Sequence, residues 1–285
     1  INPHTLRSSS FSGPVTYSLL NPPPFVSFSD SVVTIAGTST QLSRSSYFQA
    51  LATDGTGRQD TMWYHVVDTT KPPDPQAVQV IRTSLKVLLE GAYNSGSAMM
   101  NNMLRTNGIL SAHFQGIDIP ASAVDSITVE IRNTVSNPAL RKLKPAWLLV
   151  DGTIRGFTDT TENYVDFEVP PGNYYLVVRH RNHLPVMSAL NQSLSDNVPT
   201  MYDFTTAQAQ AYGINPMKAL AGSKFGMIAG DGNNSGIISA ADGNLVFGSV
   251  GTVGYDLNDI NLNGIVNAAD ANIIFANLAR TSTVP

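Results

Sequence analysis

The sequence predicts a mainly β chain: two β-sandwich domains of Ig-like type, followed by a small α-helical module. Three observations carry that prediction. Short alternating or β-branched runs, separated by Gly, Pro, Ser and Asp, occupy most of residues 1–222. A proline-dense joint, Lys71-Pro72-Pro73-Asp74-Pro75, interrupts them once and suits a stiff, extended link. Near the end, a twelve-residue frame occurs twice, its first residues Asp231 and Asp259 standing 28 positions apart. The expected divisions are a first sandwich at 1–70, a linker at 71–75, a second sandwich at 76–222 and the helical module at 223–285.

Composition narrows the setting. A length of 285 residues suits two or three domains. Only 13% of residues are charged, while Ser, Thr, Asn and Gly are plentiful, which is the surface of a secreted or cell-surface β protein. The 17 basic and 21 acidic residues give a net charge of −4, so no electrostatic footprint for nucleic acid is expected. No apolar run approaches the roughly 20 residues of a membrane span. Cysteine is absent, so disulfides are excluded and stability must come from cores and metal. The chain opens at Ile1 without a Met or a signal-like segment, as a mature or trimmed form would.

The first domain reads as five strands: Val15–Leu20, Phe25–Phe28, Val32–Ile35, Tyr47–Ala52 and Met62–Val67. The order Tyr17-Ser-Leu, Asn21-Pro-Pro-Pro, Val-Thr-Ile, then Ala50-Leu-Ala-Thr-Asp54-Gly resembles the later half of cadherin-like or Ig-like domains of bacterial surface proteins. Asp54 and Asp60 read most simply as turn residues, with calcium ligation as the sharper alternative. An Ig-like sandwich usually needs about seven strands. The shortfall leaves a sheet edge to cover, either by residues 1–12 pairing within the chain or by a strand exchanged with a neighbouring chain.

In the second domain, Leu85–Glu90 reads as a strand, and Ile127-Thr-Val-Glu-Ile131-Arg alternates as one dry and one wet face demand. Ala146–Val150 runs into an Asp151-Gly152 turn. Val165–Val169 and Tyr174–His180, joined by Pro170-Pro-Gly-Asn173, read as a hairpin. That last phrase resembles transthyretin-like or Cna-B-like sandwiches of surface proteins. A short helix is expected between Tyr202 and Met217.

The repeated frame carries the chemistry. Asp231-Gly-Asn233-Asn-Ser235-Gly236-Ile237-Ile238-Ser239-Ala-Ala-Asp242 places oxygen-bearing side chains at positions 1, 3, 5, 9 and 12, with Gly at 6. Asp259-Ile-Asn261-Leu-Asn263-Gly264-Ile265-Val266-Asn267-Ala-Ala-Asp270 repeats it. Calcium takes roughly six to eight oxygens at about 2.3–2.6 Å, and alternate side chains of a tight loop can all point inward. Position 6 must turn sharply, which glycine does at least cost. Position 7 needs only its carbonyl, so Ile237 and Ile265 are acceptable there. Ile238 and Val266, at position 8, are expected to pair across the two loops. Asp242 and Asp270 open helices, where the dipole favours a carboxylate. Two carboxylates per loop suit the weak affinities, roughly 10⁻⁴–10⁻³ M, of extracellular modules. Metal-free Asn/Gly-rich turns are the plainer reading, against which the repetition of the whole frame weighs.

Two short loop–helix repeats with Asp at position 12 resemble the duplicated repeats of dockerin type I domains, over about residues 229–280. The resemblance implies two Ca²⁺ ions. Their ligands would be Asp231, Asn233, Ser235, the Ile237 carbonyl and Asp242, then Asp259, Asn261, Asn263, the Ile265 carbonyl and Asp270. Ser239 and Asn267 would act through water. Where many dockerins carry a Lys-Arg pair on the helices, this chain has Gly243-Asn244 and Ala271-Asn272. The run from about Val87 onward, with Val178–His183 and Asn215–Lys218, also resembles a C-terminal region of large secreted proteins of Bacteroidetes-type bacteria.

Other candidates weigh less. His180 and His183, beside Arg179 and Arg181, lack a third metal ligand and read as structural. No Gly-x-Ser-x-Gly elbow and no marked carboxylate pair point to an enzyme. Trp63, Trp147, Tyr174 and Tyr175 read as packing before sugar stacking. Met99, Met100 and Met103 read as loosely packed, and Arg141, Lys142 and Lys144 as a solvated face. The sequence thus predicts a non-enzymatic extracellular structural protein, a subunit of a calcium-stiffened layer, fibre or filament that associates with its own copies. A dockerin-type adaptor with a protein receptor and a carbohydrate-binding module with a glycan are the alternatives.

Overall fold

Phe48, Ala50 and Ala52 alternate along a ten-residue strand, and all three side chains are buried while their neighbours Gln49, Leu51 and Thr53 are half-buried. That period of two is what a strand with one covered face requires. The structure is a computed structural model. It describes residues 4–5, 15–20, 26–29, 32–35, 45–54, 59–67, 80–158, 160–196, 199 and 201–285. Contacts divide the chain into two units, Ile1–Val78 and Gln79–Pro285. The linker expected at 71–75 lies outside the described residues.

In the first unit, β1 (His4–Thr5), β2 (Val15–Leu20), β3 (Val26–Ser29), β4 (Val32–Ile35), β5 (Ser45–Asp54) and β6 (Gln59–Val67) form two three-stranded antiparallel sheets, β1-β4-β3 and β2-β5-β6. Asp54 and Asp60 lie on β5 and β6 rather than in a turn. His4 pairs with Val33 and Thr5 with Val32 of the same chain. The described part of residues 1–12 thus lies along an edge of its own chain's sheet, while the rest of that segment lies outside the described residues.

The second unit begins with β7 (Val80–Lys86), the β8–β9 ribbon (Tyr93–Asn94, Met99–Met100) and two short helices, α1 (Met103–Thr106) and α2 (Ile109–His113). Then come β10 (Ala123–Arg132), β11 (Arg141–Leu149), β12 (Ile154–Gly156), β13 (Val165–Glu168), β14 (Gly172–His180), β15 (His183–Met187), β16 (Gln192–Leu194) and β17 (Met201–Asp203). One sheet runs β12-β11-β10-β14-β15, with β16 also on β14; the other runs β13-β7-β17. Ile81, Leu85, Phe167, Val129, Ile131, Trp147 and Leu176, drawn from both sheets, share one core. Burial of that apolar surface, at about 25 cal/mol per Å², is the main stabilising term.

Several expectations change here. The strand expected at Leu85–Glu90 lies earlier, at Val80–Lys86. β13 and β14 are not hairpin partners: β13 pairs with β7 and β14 with β10. Pro170 and Pro171 offer no N–H groups for a ladder, so the chain crosses between sheets there. The face of β10 expected to be wet is buried, with Glu130 beneath Arg132, Arg141 and Arg179 at 2.5–2.9 Å. Burial works against the charge of Glu130, yet the bonds and charges of Arg141 and Arg179 hold its pKa below the ordinary value. Arg141 is thus part of a buried network, and Lys144 reaches Asp166 at 2.9 Å, so neither is simply solvated. Met100 is core, while Met99 and Met103 are exposed. Between Tyr202 and Met217 the chain makes two 3-10 turns, Phe204–Thr206 and Gln208–Gln210.

After the ribbon β18–β19 (Lys218–Leu220, Lys224–Gly226) come the two loops, each followed by a nine-residue helix, α3 (Ala240–Gly248) and α4 (Ala268–Ala276). No helix among the described residues is long and apolar enough to cross a membrane. The helices enclose a second small core of Ile238, Val246, Val266 and Ile274, which also takes in Leu184 of β15. Leu262, in the second loop, belongs to the first core. Shared burial thus crosses the boundary expected at 222/223, and the loop–helix repeats belong to the same compact unit as the preceding sheets.

Candidate metal centres

Local sequence builds each loop. Gly236 and Gly264 turn with φ of 78° and 88°, the left-handed region that position 6 needs. Position 4 also turns left-handed, at Asn234 (φ 55°) and Leu262 (φ 59°). Asn tolerates that conformation; Leu does so against a cost of about 1–2 kcal/mol, offset by its burial. Ser239 and Asn267 cap the helices, accepting from Ala241 N at 3.2 Å and Ala269 N at 2.8 Å, with Asp242 and Asp270 completing capping boxes.

Inside the loops the main-chain N–H groups turn toward side-chain oxygens. Asp231 accepts from Ser235 N at 2.9 Å and Gly236 N at 3.0 Å, and Asp259 accepts from Asn263 N at 3.0 Å and Gly264 N at 2.8 Å. Asp242 accepts from Asn233 N and Ser239 N at 3.2 and 2.8 Å. Asp270 takes Ile260 N, Asn261 N and Asn267 N at 2.8–3.0 Å. Asn233, Asn261 and Asn263 also accept loop N–H groups, and Ser235 Oγ reaches the Ile237 carbonyl at 3.1 Å. The residues named at positions 1, 3, 5 and 12 are therefore gathered within each loop. Ser239 and Asn267 are engaged with the helix starts.

Charge tests whether a cation fits. Asp231, Asp242, Asp259 and Asp270 are all buried. Among the described residues no ion pair reaches Asp231 or Asp242. Burial, together with the neighbouring Asp242, pushes the Asp231 pKa up to about 6. Burial does the same to Asp259, also to about 6, although the Arg181 charge works against it, and Asp270 is raised by burial as well. Two buried carboxylates without full compensation, ringed by hard oxygen donors, suit Ca²⁺ better than a metal that prefers nitrogen or sulfur. No three His, Cys, Asp or Glu side chains converge among the described residues, so a bound cation would have to take its remaining oxygens from Asn, Ser and main chain. Bound calcium would supply the missing counter-charge.

Ile238 and Val266 share the second core, but the main-chain pairing expected between them does not form. Ile238 N instead donates to Arg280 O, and Val266 N to Thr252 O, both at 2.9 Å. Each loop pairs with the segment that follows the other loop's helix. The 28-residue offset holds for these partners too, so the module has an approximate internal two-fold.

The sandwich reaches both loops through the two-residue turn between β14 and β15. Asn182 O accepts from Gly230 N at 2.9 Å and Asp231 N at 3.1 Å, where the first loop begins. Asn182 Nδ2 donates to Leu257 O and Asp259 O, both at 2.9 Å, where the second begins. Beside it, Arg181 donates to Asp125 Oδ2 at 2.9 Å and to the Asp256 carbonyl, and its guanidinium lies 4.4 Å from the Tyr255 ring centre. Asp125 also contacts His180 Nε2 at 3.1 Å and accepts from Tyr255 at 2.6 Å. Burial opposes its charge, but Arg181, His180 and Tyr255 hold Asp125 well below the usual carboxylate range. Gly91 N donates to His183 Nε2 at 3.2 Å, so His183 carries its proton on Nδ1, facing Asn182 Oδ1 at 2.8 Å. Burial lowers the pKa of both His180 and His183. These histidines are satisfied structural groups, and they fix the Asn182 turn.

A second tie joins Glu90 to the end of α4. Glu90 accepts from Asn277 at 2.7 Å, Ala229 N at 3.0 Å and Lys218 at 2.8 Å. The sequence marked His180–His183 as its densest polar cluster, but Asp125, Tyr255, Glu90 and Asn277 gave no local signal. The aromatic candidates for sugar stacking resolve toward packing at Trp147, which is fully buried against Phe157 at 4.7 Å, and at Tyr174, which is buried. The side chain of Trp63 lies outside the described residues.

No protein-family model and no curated protein matches the chain. Among solved structures, it is similar to a type II cohesin–X–dockerin complex, a C-terminal interface mutant from Acetivibrio cellulolyticus. The identity is 17%, covering 71% of this chain and 97% of that chain, with a TM-score of 0.38. A likeness of that size carries no argument for fold or partner.

Proposed function

We propose that this chain is a non-enzymatic extracellular structural protein whose C-terminal loops, dockerin-like in pattern, bind two calcium ions. It would serve as a subunit of a surface layer, fibre or filament. The observation that carries the reading is the pair of loops with buried, incompletely compensated carboxylates. Bound cations would lock α3 and α4 against the sheets through the ties already described. Calcium titration of the purified chain, followed by negative-stain imaging and sizing with and without chelator, tests it. The expected outcome is two ions bound and ordered polymers that loosen in chelator. A chain that binds no calcium removes the reading, and one that binds calcium but stays monomeric removes the filament.

A specific observation favours a second reading, an adaptor that docks a partner. Phe247 and Phe275 occupy equivalent positions on α3 and α4, with ring centres 6.0 Å apart, and both are exposed, as are the equivalent pair Val250 and Leu278. Exposed apolar residues grouped on one face often mark a protein interface. Replacing Phe247 and Phe275 together by Ser would abolish capture of a partner and leave calcium binding intact. Unchanged capture would exclude this face.

A further inference from the structure

We infer that Asn182, which lies outside both loops, positions their first residues and couples the two calcium sites. The inference rests on the calcium reading above. Loops that pair directly along their position-8 residues could transmit occupancy through that contact, but here each loop pairs with a helix-following segment instead. Asn182 bonds to both. Its carbonyl holds Gly230 N and Asp231 N, and its side-chain amide holds the carbonyls of Leu257 and Asp259. Asp231 and Asp259 are position 1 of their loops, so a shift in either backbone is felt at the same residue.

Asn182 is itself held from behind. Its Oδ1 accepts from His183 Nδ1 at 2.8 Å, and the flanking Arg181 is anchored on Asp125 at 2.9 Å. A two-residue turn at the end of the large sheet has little freedom to absorb a displacement. Ordering one loop therefore fixes, through the turn, the main chain at the start of the other, which then binds its ion with part of the ordering already done. This is positive coupling by preorganisation, typically about 5–150-fold in affinity between sites.

Calorimetric titration of calcium into the full chain, for the parent and Asn182→Ala, tests the assignment. The parent should bind two ions with the second at least about fivefold tighter than independent sites allow. Asn182→Ala should still bind two ions but with the coupling reduced to within about twofold of independence. A residue that only supported the fold would weaken both sites and leave the coupling. Unchanged coupling in the variant, or independent sites in the parent, overturns the inference while the calcium reading stands. No binding to the parent overturns both.

Should Asn182→Ala fail to fold, hydrogen exchange on Asp231→Ala, with Asn182 intact, gives the answer. Calcium entering the second loop should slow exchange of the Gly230 amide, which donates to Asn182 O. No change at that amide would overturn the coupling.

Discussion

Gly236 and Gly264 sit at the same turn of the same frame, yet a side chain added to each would meet different surroundings. At Gly236 a Cβ would rest 3.5 Å from Ser282, in ordinary contact; at Gly264 it would overlap the Ile109 side chain of α2. The neighbouring position 4 differs the same way, since Leu262 is buried in the main core and Asn234 is exposed in the first loop. Asp259 lies near the Arg181 charge, whereas burial and Asp242 act on Asp231 without a cationic neighbour among its main influences. A duplicated sequence has thus been placed in two settings. The second loop is built into the sandwich, and the first is closed mainly by its own turn and by residues 279–282.

That contrast should appear most strongly at position 12. Asp270→Ala leaves three main-chain N–H groups without their acceptor, in a buried place, and should cost about 3–5 kcal/mol in chelator. Asp242→Ala, in the more open loop, should cost about 2 kcal/mol. Denaturant unfolding of both variants measures the gap, and equal losses would break the comparison. Each change should also remove one calcium ion from the titration and leave the other site occupied.

The glycines give the next largest difference. Gly264→Ala combines a left-handed φ with overlap on Ile109 and should destabilise by about 2–3 kcal/mol, against about 1 kcal/mol for Gly236→Ala. Pairing Gly264→Ala with Ile109→Ala sharpens the point, because relief of the overlap should recover part of the loss. No recovery would show that the strain lies in the backbone alone.

The smallest effect is a shared one, with pH. The Asp231 and Asp259 carboxyls, raised to about 6, keep protons in the folded metal-free chain that the unfolded chain has already released. Their contribution therefore makes metal-free stability fall as pH rises from about 4 to 6. Calcium competes with those same protons, so its stabilisation should be greater at pH 7 than at pH 5 by about 1 kcal/mol per site. His180 and His183, lowered by burial, act with the opposite sign and lose stability as pH falls below about 6.5. Comparing melting with and without calcium at each pH separates the two contributions. A calcium effect independent of pH would exclude Asp231 and Asp259 as ligands.

Pattern made part of this molecule legible. The period of two along Phe48–Ala52 marks a half-covered strand, and Gly at position 6 marks a sharp turn, because both depend on residues close in sequence. The capping Ser239 and Asn267 with Asp242 and Asp270 belong to the same class. The buried polar face of β10 was not legible, since Glu130 and Arg132 look like any exposed strand residues until Arg141 and Arg179 arrive from the two neighbouring strands. The failure of Ile238 and Val266 to pair follows likewise from the partners at 252 and 280, brought in by the return of the chain after each helix.

By itself, then, the sequence determined the local conformations: mainly β structure, two oxygen-lined loops, and two capped helices at a fixed offset. Tertiary structure alone decided how the two copies differ. It set the Asn182 turn between them, pressed Gly264 and Leu262 into the sandwich, and placed Glu90 against Asn277. The physical reason is range. Backbone turns and caps are fixed by hydrogen bonds within a few residues, while burial and charge depend on which distant segments arrive at the same place.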